Sequence, residues 1–237
     1  MDSSGTTALV TGADRGSGRQ LVAALLDRGA RRVYAAARDT GRLPGGDERV
    51  VPLALDLTDR AGISAAPASA PDVTLLIDNA SAAAFADPST ADREAIALEV
   101  TTDHLGSLDV IRAFAPVIEG NGGGAVVDVL SVVALAGHPP MAGCAASKAA
   151  AHSMTQAIRP GPAARGVAVH GVHPAGIDTG MIADVEGPRT PPRVVADGLL
   201  DGVGRGEEDI FPDPVSRSLA PTWFGDPEAY ERAFSGR

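Results

Sequence analysis

Short apolar runs alternate with longer amphipathic stretches over almost the whole chain. The short runs predict strands, because buried strands of a parallel sheet read as unbroken apolar segments of roughly four to eight residues. They lie at residues 6–12, 32–37, 50–55, 73–77, 125–130 and 167–172, with a short seventh candidate at 209–211. Apolar positions at helical spacing predict helices at residues 17–28, 91–118 (as one helix or two), 143–158 and 193–203.

This order of elements predicts an α/β fold. Alternating strands and helices of this length imply right-handed crossovers and a parallel sheet of about seven strands with helices on both faces. Since no repeat or linker interrupts the pattern, we predict one doubly wound domain over residues 1–237. Pro160 and Pro162 should end or bend the helix that precedes them. The tail, residues 213–237, should pack as a short terminal helix.

The composition of the chain excludes several kinds of binding partner and cross-link. The chain has 237 residues, of which 44% are hydrophobic, which suffices for a sizeable core. A net charge of −10 without a basic run argues against nucleic acid and anionic membranes as partners. The single cysteine, Cys144, excludes an intrachain disulfide and a cysteine-based zinc site. No apolar stretch approaches the roughly 18 residues of a membrane span, and the N-terminus is unlike a signal peptide, so we expect a cytoplasmic protein.

A glycine-rich turn joins the first strand to the first helix. It reads TGADRGSG over residues 11–18 and ends directly before the helix. Glycines there allow a tight turn and close backbone approach, so that a pyrophosphate can meet the helix N-terminus. An ordinary strand-to-helix turn is the alternative, but the first such junction of an α/β chain favours nucleotide binding.

With this loop the chain resembles the short-chain dehydrogenase/reductase family, whose glycine motif reads TGxxxGxG. Further family landmarks follow along nearly the whole chain: DNAS at 78–81, where members carry NNAG, and PAGIDT at 174–179, similar to the PGx[VI]xT stretch that meets the nicotinamide. The resemblance implies a Rossmann domain that binds a nicotinamide cofactor. It assigns the cofactor contacts to Gly12, Gly16, Gly18, Asp56, Asn79, Pro174 and Thr179.

Two arginines bear on which nicotinamide cofactor binds. Arg15 precedes the second motif glycine, and Arg38 follows the second strand. An acidic residue at that strand end would favour the ribose 2′-hydroxyl of NAD(H), whereas a guanidinium can pair bidentately with the 2′-phosphate of NADP(H). Asp39, next to Arg38, favours NAD(H) instead. Either arginine alone could be a solvated surface charge. Together they favour NADP(H) over NAD(H) as the cofactor.

The resemblance also assigns the catalytic positions. Family members use a serine to position the substrate oxygen, a tyrosine to exchange a proton with it, and a lysine four residues later to lower the phenol pKa. Ser131 follows the fifth strand, where the family serine belongs, and Cys144 replaces the tyrosine in CAASK at 144–148. Lys148, the only lysine, should hold the cofactor ribose. Asp103 stands where members carry an asparagine that supports a water leading to the lysine.

A thiol in place of the phenol leaves three interpretations of Cys144 open. The ordinary thiol pKa of ~8.5 is nearer neutrality than that of a phenol, and Lys148 should lower it further. The thiol is much shorter than the phenol, however, so a water or a larger substrate would have to bridge the gap. Cys144 is therefore a reactive thiol, a residue that leaves room for substrate, or a small buried residue of an alanine-rich helix.

The histidines show no metal-ligand spacing, so we predict no metal site from sequence. They are His104, His138, His152, His170 and His173. His138, in the loop before CAASK, is the candidate substitute acid by position and pKa, and the alternative is a loop histidine that faces water.

Substrate choice and assembly can be inferred only from the resemblance. Residues 177–195 resemble the variable lid that sets substrate choice in the family, and Met181 favours an apolar substrate. Family members dimerise or form tetramers through the helices that correspond to residues 91–118 and 143–158. Because alanine-rich faces permit close helix approach, we expect a homodimer or homotetramer despite the net charge.

Two functions are compatible with these residues. The first is an NADP(H)-dependent oxidoreductase that acts on a carbonyl/alcohol pair through Ser131, Lys148, Cys144 and Asp103, with an unusual or impaired proton relay. The second is a family fold whose redox activity is lost or redirected: a non-redox cyclase, dehydratase or isomerase, or a ligand- or partner-binding protein. An intact glycine loop without the phenol fits both, and we favour the first.

Overall fold

Seven parallel strands form one sheet in the computed structural model, which describes residues 2–87, 89–183 and 185–235. The strands are β1 (Thr7–Thr11), β2 (Arg32–Ala37), β3 (Val50–Ala54), β4 (Leu75–Asp78), β5 (Gly124–Val129), β6 (Val167–Val172) and β7 (Asp209–Ile210). Their order across the sheet is β3-β2-β1-β4-β5-β6-β7. The predicted α/β class, with one doubly wound domain and about seven strands, is confirmed.

Helices cover both faces of the sheet. In the described ranges they are α1 (Gly16–Asp27), α2 (Arg60–Ala65), α3 (Arg93–Val100), α4 (Ser107–Gly120), α5 (Ala142–Ile158), α6 (Pro160–Ala163), α7 (Pro192–Arg205), α8 (Pro214–Gly225) and α9 (Pro227–Ser235). None of them is both long enough and apolar enough to cross a membrane.

Alternate residues of each central strand enter two separate cores. Ala8 and Val10 of β1 belong to the core that includes α1 and α7, whereas Leu9 belongs to the core that includes α4. Both faces of the sheet are therefore buried, and the strands are apolar without alternation. This is why short apolar runs in the sequence located the strands.

The predicted helical segment 91–118 forms two helices. A π-helical turn, Thr101–Gly106, joins α3 to α4. A Cβ on Gly106 would collide with the carbonyl oxygen of Leu57, so glycine lets this turn lie against the loop after β3. Such turns frequently interrupt regular helices at functional sites, and this one carries Asp103 into the interior.

The prediction of one short terminal helix for the tail is wrong, because two helices form. The Asp213 carboxylate accepts the backbone N–H groups of the first turn of α8, and the Asp226 carboxylate accepts an N–H of α9 at 2.9 Å. Both helices begin with proline, which tolerates the first helical position because that N–H has no intrahelical acceptor. The last two residues of the predicted tail lie outside the described residues.

The remaining boundaries agree with the sequence except at the predicted lid. Helix α5 ends at Ile158, and the four-residue helix α6 follows from Pro160. Residues 192–195 of the predicted lid form the first turn of α7, while the rest is irregular apart from a short turn at Gly180–Ile182. Asp184, inside that segment, lies outside the described residues.

The strand order reverses between β1 and β4. The chain leaves β1 toward β2 and β3 on one side, and β4 toward β5, β6 and β7 on the other. In doubly wound sheets, ligands bind in the crevice outside the carboxyl ends of the strands at this point. The loops after β1, β4, β5 and β6 therefore define the candidate site.

Candidate active site

The glycine loop after β1 folds tightly and is tied to the loop after β4. A Cβ on Gly18 would collide with the carbonyl oxygen of Gly12, whose φ is +64°. The side-chain amide of Asn79 donates to the Thr11 carbonyl oxygen at 3.0 Å, and its Oδ1 accepts from the Ser17 hydroxyl at 2.7 Å. The structure thus brings Asn79 and the glycine loop together.

The first turn of α1 presents backbone N–H groups beside this loop. Helix α1 begins at Gly16, and the side chain of its N-cap residue, Arg15, makes no capping hydrogen bond. The first N–H groups of a helix lack intrahelical acceptors, and together with the helix dipole they bind anions. A Cβ on Gly16 would lie 3.2 Å from the methyl group of Thr179, which places Thr179 at this turn. The residues present therefore fit the pyrophosphate of a nicotinamide dinucleotide.

The two arginines predicted to read the 2′-phosphate are exposed. Within the described part of the chain, neither the Arg15 side chain nor the Arg38 side chain has an ion-pair or hydrogen-bond partner. The Asp39 carboxylate, by contrast, accepts the N–H of Gly41 at 3.0 Å and caps a short turn. Asp56 lies two residues after β3 and accepts two hydrogen bonds within its own turn. The guanidinium groups of Arg15 and Arg38 are thus free to bind an external anion.

Ser131 lies two residues after the end of β5, beside the loop that follows β6. Its hydroxyl oxygen accepts the N–H of Val133 at 3.3 Å, and its proton points to the Pro174 carbonyl oxygen at 3.5 Å. The same carbonyl accepts the N–H of Val132 at 3.0 Å. Because a 3.5 Å contact is a weak hydrogen bond, the hydroxyl proton of Ser131 is available to a substrate oxygen.

Lys148 is buried next to the end of β5. Its ammonium group donates to the Val129 carbonyl oxygen at 2.8 Å, and its side chain is 5% exposed. Burial alone would lower the pKa of Lys148, but the carboxylates of Asp103 and Asp128 outweigh it and hold the pKa above its ordinary value. Lys148 is therefore a cation at neutral pH.

Asp103 links the loop after β4 to α5. It is fully buried; Oδ1 accepts the N–H of Ala82 at 3.0 Å, and Oδ2 accepts from the Ser147 hydroxyl at 3.1 Å. It lies close enough to Lys148 to raise the pKa of that lysine. At the position that resembles the family asparagine, the carboxylate acts as a counter-ion to Lys148.

Two further buried carboxylates, Asp78 and Asp128, received no role from the sequence. They lie side by side on β4 and β5 and accept hydrogen bonds from Thr11 at 2.6 Å and Thr155 at 2.8 Å, respectively. In the described residues Oδ2 of Asp78 has no partner. Burial raises the pKa of both groups, and with the charge of Asp78 it brings that of Asp128 to about 7. The sequence signal for this pair is an acidic residue inside one apolar run that predicts a strand, Asp128, and another directly after such a run, Asp78.

Replacing Asp128 by asparagine should stabilise the protein at alkaline pH. The folded pKa of about 7 exceeds the ordinary value of 3.8, so the free energy of unfolding falls as the pH rises from 3.8 to about 7 and stays low above it. The amide would keep the bond from Thr155 and would carry no charge. We expect Asp128→Asn to gain on the order of 2 kcal/mol at pH 8 and little at pH 4.

Urea denaturation at both pH values measures this gain. Glu48→Gln, which removes an exposed carboxylate, is the matched control and should change neither value. A gain for Asp128→Asn that is the same at pH 4 and pH 8 would contradict the buried-charge explanation.

Cys144 belongs to a small apolar cluster. It packs with Val133 and Ala145, and Met141 and Phe234 border the cluster. Burial raises the pKa of the Cys144 thiol to about 11, because it outweighs the opposing effect of the nearby ammonium group. The predicted lowering of this pKa is therefore wrong. At neutral pH the thiol is protonated and a poor nucleophile, which favours the interpretation of Cys144 as a small buried residue.

Helix α9 reaches the loop that follows β5, a contact that the sequence did not reveal. The Tyr230 hydroxyl is buried and donates to the Val132 carbonyl oxygen at 3.1 Å, and the ring of Phe234 stacks on that of Tyr230 with centroids 4.7 Å apart. Nδ1 of His138 lies 2.9 Å from the Phe234 carbonyl oxygen, to which it donates. His138 is therefore anchored to the tail, and α9 forms one wall of the site.

A second polar cluster lies next to the backbone of Ser131. His152 of α5, His173 after β6 and Asp209 of β7 place one potential ligand atom each within 4.8 Å of the others. These residues could hold a metal ion. Their separation in the sequence gives no sign of this, because the fold alone brings them together.

Comparison with known proteins identifies close matches over most of the chain. A family profile described as short chain dehydrogenase matches residues 6–189. A short chain dehydrogenase from Burkholderia cenocepacia J2315, crystallised in complex with NADP, is 37% identical with a TM-score of 0.94 over 99% of both chains.

Two more distant matches agree with it. A short chain dehydrogenase/reductase from Burkholderia phymatum in complex with NAD shares the fold, with a TM-score of 0.85 and 21% identity over 97% of this chain and 96% of that one. Among curated relatives, 2-(S)-hydroxypropyl-CoM dehydrogenase 3 of Xanthobacter autotrophicus is 32% identical over 202 residues, which are 79% of this chain and 78% of the relative.

Proposed function

The chain belongs to the short-chain dehydrogenase family, and on that premise we propose that it is an NADP(H)-dependent oxidoreductase that interconverts a carbonyl and an alcohol group. The main support is that the anion-binding turn of α1, the free hydroxyl of Ser131 and the buried cation of Lys148 come together at the carboxyl edge of one sheet. When bound, NADP(H) would supply or accept the hydride.

Ser131 and Lys148 would orient the two reactants. The Lys148 ammonium would donate to the ribose hydroxyls of the cofactor, and the surrounding carboxylates keep it charged for that purpose. The Ser131 hydroxyl would donate to the substrate oxygen, on which negative charge develops as a carbonyl is reduced. Asp103 acts through Lys148 as a positioning residue.

The proton relay would differ from that of the family. The Cys144 thiol is protonated, but its sulfur is one bond from Cβ and lies in an apolar cluster. A water next to the substrate oxygen would then supply or remove the proton. Because a positioned general acid typically contributes about 10²–10⁴-fold to the rate, turnover should be slow unless the natural substrate fills this gap.

NADPH should bind more tightly than NADH. The unpaired Arg15 and Arg38 side chains support this preference, as does the NADP complex of the 37% identical relative. Loss of one charge-assisted bidentate contact should weaken NADPH binding by roughly ten- to a hundredfold in Arg38→Ala and leave NADH binding unchanged. Fluorescence titration measures both, with Arg112→Ala, an exposed arginine of α4, as control. Equal affinities for NADPH and NADH would contradict the assignment.

Cys144→Tyr should raise turnover, and most strongly when Phe234 is also shortened. Lys148 lies close enough to Cys144 to influence its pKa, and Ser131 occupies the position of the family serine, so the phenol would restore direct proton transfer. Its ring must occupy space that Phe234 borders. We expect Cys144→Tyr with Phe234→Ala to raise kcat/KM on generic ketones about 10²-fold. Phe234→Ala alone is the control. A double variant that binds NADPH without any gain would show that the pocket has diverged further.

A redirected, non-redox function is the second candidate. It is favoured by one observation, the burial of a protonated Cys144 beneath the aromatic wall of α9. Consumption of NADPH in the presence of a panel of apolar ketones, followed by absorbance, separates the two candidates. No consumption with any ketone, although NADPH binds, would support the second.

We further propose that the substrate is apolar and that the chain forms a homo-oligomer. Met181 and Val194, both exposed within the predicted lid, support an apolar substrate. Leu98 and Leu105, exposed on α3 and the π-helical turn, support a homodimer or homotetramer through this face. We also propose a cytoplasmic location, with neither a membrane nor a nucleic-acid partner.

A further inference from the structure

We propose that His152, His173 and Asp209 form a binding site for a divalent transition-metal ion, and that Zn²⁺ is the ion it suits. The three side chains come from α5, the residue after β6, and β7. Their potential ligand atoms all lie within 4.8 Å of one another, and Nε2 of His173 is 3.2 Å from Oδ1 of Asp209. In a tetrahedral zinc site with bonds of about 2.1 Å, neighbouring ligand atoms are roughly 3.4 Å apart. The His173–Asp209 pair already has this spacing.

The hydrogen bonds of His173 require a cation or an additional proton. The ring is fully buried; Nδ1 lies 3.4 Å from the carbonyl oxygen of Ser131, and Nε2 faces Oδ1 of Asp209. The carbonyl oxygen of Ser131 and the ionised carboxylate of Asp209 can only accept hydrogen bonds. A neutral imidazole carries a single N–H, so it can donate to only one of them. One of the two contacts is therefore repulsive unless a second positive centre is present.

A metal ion at Nε2 removes this conflict. Nδ1–H would then donate to the Ser131 carbonyl oxygen, while the lone pair of Nε2 and Oδ1 of Asp209 bind the same ion. Metal-ligating histidines commonly donate their second N–H to a backbone carbonyl in this way. Through that carbonyl the ion would brace the turn that carries Ser131.

His152 supplies the third ligand. In the described residues its Nδ1 is buried and has no hydrogen-bond partner, which is a costly arrangement that coordination of the ion through Nδ1 would relieve. The His152 and His173 ring centroids are 5.0 Å apart, and Phe211 and Trp223 pack around them. Two imidazoles and one carboxylate favour zinc over Mg²⁺ or Ca²⁺, which prefer oxygen ligands.

Arg159 limits how tightly the ion should bind. Its guanidinium donates to Oδ1 of Asp209 at 2.8 Å and to Oδ2 at 3.3 Å. This clamp orients the carboxylate, as hydrogen bonds to metal-ligating carboxylates do, but its positive charge opposes a nearby cation. We therefore expect micromolar affinity rather than the much tighter binding of closed structural sites. Of the three proposed ligands, Asp209 lines an open cavity of about 350 Å³, and Arg205 and Arg217 in the same lining add positive charge that also weakens cation binding.

Calorimetric titration of the chelator-treated full chain with ZnCl₂, without any nicotinamide cofactor, tests this site independently of the proposed reaction. We expect one zinc per chain with a micromolar Kd, and a loss of affinity of at least about tenfold in His152→Ala and in Asp209→Asn. His138→Ala, a histidine outside the cluster, should bind zinc as the parent protein does.

A second measurement guards against variants that fail to fold. Co²⁺ added to the parent protein should produce the visible absorption of a four-coordinate site, and Zn²⁺ should displace it. Failure of both ions to bind at a hundred-micromolar concentration would overturn the proposal. Stoichiometric binding that persists in folded His152→Ala and Asp209→Asn would overturn it equally, since the ion would then lie elsewhere.

Discussion

A Gly18→Ala variant is expected to lose NADPH binding almost completely. The added Cβ would collide with the carbonyl oxygen of Gly12 and crowd the side-chain amide of Asn79. Relief requires the start of α1 to move away from the glycine loop, and that movement removes the N–H groups proposed to bind the pyrophosphate. We expect the Kd for NADPH to rise by more than about 10²-fold, because several charge-assisted hydrogen bonds are lost together.

Fluorescence titration with NADPH measures this loss, and Gly45→Ala is the matched control. A Cβ added at Gly45 would meet no heavy atom within 4 Å, and this residue lies outside the glycine loop, so the affinity for NADPH should not change. Circular dichroism tests whether both variants fold. A folded Gly18→Ala protein with parental affinity would show that the cofactor does not bind at this turn.

A Lys148→Met variant should lose both turnover and stability at neutral pH. Lys148 is the cation beside the three buried carboxylates Asp78, Asp103 and Asp128. Removing one partner of a buried charge pair typically costs about 3–5 kcal/mol, since the remaining charges have no compensation. The ammonium is also the group proposed to hold the cofactor ribose, so kcat/KM should fall by at least about 10²-fold.

Two further measurements separate the electrostatic effect from the functional one. The stability loss should shrink toward pH 4, because burial raises the pKa values of Asp78 and Asp128, and these two carboxyl groups take up protons and then need no counter-ion. Adding Asp103→Asn to Lys148→Met removes one uncompensated charge, and it should restore part of the stability but none of the turnover. If the double variant recovers turnover as well, Lys148 serves only to balance charge.

The sequence predicted the architecture well, for a physical reason. Because the sheet is buried on both faces, each strand stands out as a short apolar run, and β2 and β6 have the predicted bounds. The glycine loop, Asn79 and Thr179 lie together, as the family resemblance implies. These features depend on local backbone geometry, which short motifs encode directly.

Features that depend on tertiary packing could not be predicted from the sequence. The pKa of Cys144 follows from burial rather than from its nearest charge, and the proximity of Asp78 and Asp128 follows from strand register. Nothing local indicates that α9 reaches the loop after β5, although the Asp-Pro pairs at 213–214 and 226–227 do mark two helix starts. The helices of the tail were therefore predictable, whereas their contacts were not.

Transfer of deuterium from NADPH that carries deuterium at both positions of C4 of the nicotinamide ring tests the proposed function most directly. The purified protein, labelled NADPH and a panel of apolar ketones are incubated, and the alcohols are analysed by mass spectrometry. We expect deuterium on the former carbonyl carbon of at least one alcohol, with none in Gly18→Ala. If the parent protein binds NADPH but no alcohol carries deuterium for any ketone, the chain does not catalyse hydride transfer to this class of substrate.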